Sequence, residues 1–189
     1  MQYMRKRSME DALAARIEKI ERRLRSLEEK EAVLDCINRY CMAVDLRQDD
    51  AFVGNLTADC VIDLGDEAGA QWRGRDGARL FLDESVGPAP AVPRYRALHV
   101  SGRLAVEISG DTASAEGYSA VLALRRGEHQ ILTCGFNHWD LARENGHWRV
   151  RRRRRRAIGG ADGPNVMVNV VRQLDELASA GVDPQAEAL

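Results

Sequence analysis

The chain has 189 residues, 44% of them hydrophobic, and a formal net charge of -1. That length buries one sizeable core, and the near-zero charge removes any global reason to expect nucleic acid as a partner. No apolar run reaches the length of a membrane span or follows the basic N-terminus as a signal would, so a cytoplasmic protein with no membrane partner is expected. Cys36, Cys41, Cys60 and Cys134 include no CxxC pair and read as buried, reduced thiols.

From Leu13 onward, Leu13, Ile17, Ile20, Leu24, Leu27 and Leu34 form the narrow apolar seam of a helix. Two destinations are open for it. The plainer is the chain's own domain; the other is a helix of another subunit. The helical pattern continues through Val33, Cys36, Ile37 and Tyr40 to Val44 and Asp45. Residues 1–9 are expected to fray, and a break near Ser26 or Glu31 is allowed. Asp49 and Asp50 then suit an N-cap for a short helix over 51–56. A strand is predicted over 58–64, a turn over 65–69, an extended piece over 72–74 and a helix over 76–85. Residues 87–93 hold three prolines, which remove donors and fix φ. They predict a loop, suited to a lid or pocket rim.

Beyond it the spacing changes to strand segments over 96–108, 112–124, 129–143 and 147–155. Glycine with polar neighbours separates them at Ser109-Gly110-Asp111, Arg126-Gly127-Glu128 and Glu144-Asn145-Gly146. This is an antiparallel meander, and the helices before it must cover one face. The fold class is therefore α+β, with helices in the concavity of a bent sheet. The tail carries an amphipathic stretch over 170–177, expected to dock as an accessory helix, and a disordered end after Pro184.

Several short pieces follow one another along most of the chain. They are Leu27-Glu28-Glu29-Lys30-Glu31-Ala32-Val33, Tyr40 with Ala43-Val44-Asp45, and Leu56-Thr57-Ala58-Asp59-Cys60-Val61-Ile62-Asp63. Then come Gly74-Arg75-Asp76-Gly77, His99-Val100, Ser109-Gly110-Asp111-Thr112-Ala113 and Gly146-His147-Trp148-Arg149-Val150. In this order they resemble the SnoaL-like group of the NTF2-like superfamily, which includes polyketide cyclases and small dehydratases. The resemblance implies an NTF2-like cone, a curved antiparallel sheet wrapped around N-terminal helices. It sets residues 27–157 as the domain, 1–26 as a helical extension and 158–189 as a tail. It also implies that Asp45 and His99 form a catalytic dyad, joined by Tyr40. Where some relatives carry a further polar catalytic group on the strand after the histidine, this chain has Glu116 and Tyr118.

The resemblance further implies a cofactor-independent dehydratase, cyclase or isomerase acting on a hydrophobic polyketide-like or polycyclic molecule. A histidine moves a proton near neutral pH, and a carboxylate orients its ring and stabilises imidazolium. The alternatives are a binding protein without chemistry and a scaffold like the small subunit of ring dioxygenases. His129, His138 and His147 fall in no metal-ligand spacing, so no metal is expected. In the run Arg151 to Arg156, strand alternation places Arg152 and Arg154 inward if Trp148 and Val150 point inward. Arg152, Trp72, Tyr118 and Asn137 are the expected substrate-binding residues. The N-terminal seam makes a homo-oligomer, dimer or trimer, the expected state.

Overall fold

The computed structural model describes residues 2–65, 71–86, 97–125, 127–160 and 162–179. The expected loop at 87–93 and the end after Pro184 lie outside the described residues, as does most of the turn at 65–69.

Helix α1 runs unbroken over Gln2–Asp45. No break occurs at Ser26 or Glu31, and residues 2–9, expected to fray, are helical too. Only its second half docks. Val33, Cys36, Ile37, Tyr40 and Val44 are buried on one face, whereas Leu13, Ile17, Ile20, Leu24 and Leu27 are 47–58% exposed. The plainer destination for the seam is thus overturned. Phase explains it: at 3.6 residues per turn the seam lies about 160° around the helix from the docked face.

The helix ends by a paired closure. Gln48 N–H donates to Ala43 O at 2.9 Å and Arg47 N–H to Val44 O at 3.2 Å. Arg47 takes the left-handed φ of 52° that such an ending requires. Its side chain holds it there, donating to Leu82 O at 2.7 Å and pairing with Asp49 and Asp83. Asp45 is consequently the last helical residue, set at the negative end of the helix dipole.

Helix α2 is Asp49–Gly54. Its cap is Gln48, without a side-chain bond, and Asp49 and Asp50 sit instead in the first turn, where the dipole favours acids. Strands β1 (Leu56–Asp63) and β2 (Gln71–Arg73) come next, then α3 (Gly74–Phe81), closed by a π-helical turn over Leu82–Val86. Strands β3 (Ala97–Ser101), β4 (Ala105–Ser109), β5 (Thr112–Arg125), β6 (Glu128–Glu144) and β7 (His147–Ala157) follow. The order is β2-β1-β7-β6-β5-β3, with β4 also on β5. The meander is as expected. The sheet as a whole is mixed rather than antiparallel, because β1 runs parallel to β7; the long connection between them permits that pairing.

Two irregularities decide where side chains point. The expected strand over 96–108 is two strands, β3 and β4, both paired to β5. Opposite the gap lies Gly117, where a Cβ would come within 2.6 Å of the Leu104 side chain. The missing side chain lets Leu104 fall inward onto the core. The second irregularity is in β7. Leu141 pairs with Val150, but Asp140 pairs with Arg152, so Arg151 is an extra, bulged residue. A bulge of one residue exchanges the two faces beyond it. Trp148 and Val150 face inward as expected, and then Arg153 and Arg155, not Arg152 and Arg154, are the buried ones.

The outer face carries a polar layer. Asp63 pairs with Arg152 and Arg156. His138 Nδ1 meets Glu116 Oε1 at 2.8 Å and Val166 O at 3.0 Å, and its Nε2 meets Asp140 Oδ1 at 2.9 Å. Both ring nitrogens thus lie within hydrogen-bond reach of acceptors on three different elements. Burial alone would raise the Asp140 carboxyl, but the hydrogen bond and charge of His138, with Arg154 and Arg152, hold it below its ordinary value. Helix α4 (Val168–Ser179) docks on this layer through polar groups. Asn169 and Val170 N–H donate to Glu116 at 3.1 and 2.8 Å, and Arg172 reaches Glu107 at 2.9 Å. Its apolar residues Val168, Val171, Leu174 and Leu177 face solvent, the reverse of an amphipathic helix docked by its apolar side.

Candidate active site

The end of α1 and the edge strand β3 meet across the concave face. Asp45 Oδ1 lies 2.5 Å from His99 Nδ1, and the His99 backbone N–H donates to Asp45 Oδ2 at 2.8 Å. The second bond exists because β3 is an edge. Its outward N–H groups have no strand partner, and the carboxylate supplies one. One acid therefore grips both the ring and the backbone of His99. With Nδ1–H donating, Nε2 keeps its lone pair, and Nε2 has no hydrogen-bond partner among the described residues. The pair is sheltered without being sealed: the side chains are 14% and 8% exposed for His99 and Asp45.

Deeper in the same face lies Arg153, only 2% exposed. Its guanidinium sits 4.8 Å from the Trp139 ring centroid and 5.3 Å from that of Tyr40. Nε and Nη2 both donate to Asn137 Oδ1 at 3.2 Å, and Nη1 approaches the Tyr40 hydroxyl at 3.5 Å. Asn137 in turn donates to Ser119 Oγ at 2.7 Å. No acid pairs with Arg153 among the described residues. A buried cation held only by neutral oxygens and aromatic faces is costly in isolation. It suits a site where an anionic or carbonyl oxygen arrives.

Cys41 connects the two groups. It lies one turn before Asp45 on the same face of α1. Burial pushes its thiol up; the Arg153 charge and a hydrogen bond with Ser101 pull it down, and Asp45 raises it further. Tyr40 is fully buried, with ring centroids 4.8 Å from Phe52 and 4.9 Å from Trp139. Burial raises its phenol above the usual range, against the pull of Arg153.

Of the residues singled out in the sequence, Asp45, His99, Tyr40, Asn137 and Trp72 share the concave side, Trp72 because it pairs with the inward Ile62, itself opposite Arg153. Arg152 and Tyr118 do not. Arg152 faces outward because of the bulge and pairs with Asp63 at 3.5 Å. Tyr118 is 59% exposed on the outer face, its ring against Phe136. Trp72 is committed to α3 and the turn after it: its indole N–H donates to Glu84 at 2.8 Å and its ring edges Phe81. A molecule held at His99 would touch neither Arg152 nor Tyr118. The residue that sequence reasoning missed is Arg153; a bulge without glycine left no signal of the face exchange. A groove of about 720 Å3, lined by Asp59, Arg73, Glu107, Asp140, Arg151 and Arg152 among others, belongs to the outer face and is separate from the dyad. No group of three or more His, Cys, Asp or Glu able to hold a metal occurs among the described residues.

Helices cupped by a curved, open sheet define an NTF2-like protein, a small-molecule-binding enzyme scaffold. The chain belongs to the SnoaL-like domain family, which matches residues 25–154. Among solved structures it is similar to an NTF2-like protein with a cystatin-like fold from Novosphingobium aromaticivorans, at 25% identity and a TM-score of 0.68, over 78% of this chain and 94% of that one. A Mycobacterium tuberculosis protein of unknown function is 22% identical with a TM-score of 0.62, over 81% and 92%. A candidate scytalone dehydratase from N. aromaticivorans is 18% identical with a TM-score of 0.55, over 70% and 85%. No curated protein matches the chain. No helix among the described residues is long and apolar enough to cross a membrane.

Proposed function

We propose that the protein is a cofactor-independent acid–base enzyme, a dehydratase, cyclase or isomerase, acting on a hydrophobic polyketide-like or polycyclic molecule. The observation that carries the reading is the double grip of Asp45 on His99, which leaves Nε2 as a base. His99 takes a proton from a carbon beside a carbonyl. Asp45 stabilises the imidazolium that forms. The electron pair moves onto the carbonyl oxygen, where Arg153, backed by Tyr40 and Asn137, meets the developing charge. The proton then leaves with a hydroxyl as water or returns to carbon, which separates elimination from isomerisation.

The test uses bicyclic aromatic β-hydroxyketones in D2O, with elimination and α-carbon exchange followed by NMR. His99→Ala and Asp45→Asn are each expected to lower the rate by about 10²–10⁴-fold, with the circular dichroism of the folded chain retained. Wild-type rates equal to those of both variants would refute the assignment and favour a binding protein or scaffold subunit.

A further inference from the structure

The N-terminal half of α1 presents an apolar stripe that no described residue of the chain covers. Leu13, Ile17, Ile20, Leu24 and Leu27 step by four and three, the first and fourth positions of a seven-residue repeat. Ile17 and Leu24 take the first position; Leu13, Ile20 and Leu27 take the fourth. Glu10 and Glu31 stand at the next first positions and bound the stripe. Its flanks are charged in a regular way. Arg16 and Arg23 lie along one side, Glu21 and Glu28 along the other.

These flanking charges do not serve each other within the chain. Glu21, on the flank, faces Arg25 at 4.0 Å, and Glu18 pairs with Arg22 at 3.7 Å on the helix surface away from the stripe; neither joins two flanking charges. Arg16, Arg23 and Glu28 make no ion pair among the described residues. In a parallel, in-register pair of helices, each residue flanking the first position on one chain meets the residue five further on in the other. Arg16 then meets Glu21 of a second copy, and Arg23 meets Glu28. An antiparallel pair would set arginine against arginine and glutamate against glutamate. One chain thus carries both halves of every favourable contact, and only in the parallel arrangement.

We propose that the stripe is the assembly interface of this protein, closed by the same stripe of at least one further copy in a parallel, in-register coiled coil. The stripe is short for a free peptide, because a helix must first be nucleated. Here the docked half of α1 nucleates it. The phase of the helix also fits: the stripe lies about 160° from the face held by the domain, so the domains project outward and do not collide. The inference stands independently of the acid–base reading.

Sedimentation equilibrium of the full chain at tens of micromolar is expected to give the mass of two or three chains. Leu24→Lys, at an exposed position outside the core, is expected to give one chain with the domain's circular dichroism unchanged. Arg16→Glu with Arg23→Glu, or Glu21→Arg with Glu28→Arg, is expected to weaken association by about tenfold or more, and mixing the two variants is expected to restore it. Under mild oxidation Leu13→Cys is expected to cross-link to its own counterpart, which only a parallel register allows. A wild-type chain of single mass overturns the proposal. So do charge variants that associate as well alone as mixed, or an assembly in which Leu13→Cys forms no cross-link.

Discussion

Arg153 carries a charge that its surroundings do not neutralise. Tyr40, Trp139 and Asn137 make its burial tolerable without supplying an acid. In a purely structural position, evolution toward stability would favour an apolar residue of similar volume, since such exchanges are often neutral or stabilising. A residue kept for chemistry should therefore separate two measurements. Arg153→Met is expected to leave the melting temperature within a few degrees while lowering kcat by about 10²–10³-fold. Unchanged turnover would reduce Arg153 to packing. Asp45 follows the same logic in milder form. A carboxylate at a helix C-terminus opposes the dipole by about 0.3–1 kcal/mol, and contact with His99 offsets that cost. Both residues break a local rule, and both act on the same thiol, Cys41.

At the scale of elements, the bulge at Arg151 has the largest consequence. It moves Arg153 and Arg155 inside and releases Arg152 and Arg154 to the polar outer layer. That layer then anchors α4. Glu116 accepts the first free N–H groups of the helix and His138 braces Glu116 from the other side. Hydrogen bonds to an ionised acceptor contribute about 1.5–3 kcal/mol. A glutamine in its place cannot accept at both sites without turning its NH2 toward a donor. Glu116→Gln is expected to undock α4, seen as faster hydrogen exchange at Asn169 and Val170 while β5 and β6 stay protected. Unaltered protection of those two amides would mean that Glu107 and its partners suffice.

For the whole molecule, a rigid cone and a projecting half-helix have different stabilities. The cone is held by a continuous core from Val33 to Val150. Residues before Glu29 rest on helix propensity, surface charge pairs and whatever copy lies against them. Stability gained from association depends on concentration. Helical signal is therefore expected to melt at a temperature that rises with protein concentration, and Leu24→Lys is expected to abolish the rise. Concentration-independent melting of the wild type would show that the half-helix stands alone.

Periodicity and turn residues determined the element order, the meander and the helix-in-sheet layering, because each rests on contacts between near neighbours along the chain. Family resemblance added Asp45 and His99 as partners, 54 residues apart. What the linear pattern left undecided was orientation. The face exchange beyond Arg151, the gap over Gly117, the parallel β1–β7 pair and the outward turn of the α1 stripe arise only when strands register and a long helix takes its phase from the core. A shift of one residue in a strand, or half a turn in a helix, reverses which side chains meet. Such reversals are settled by packing across the molecule, and no local preference in the sequence encodes them.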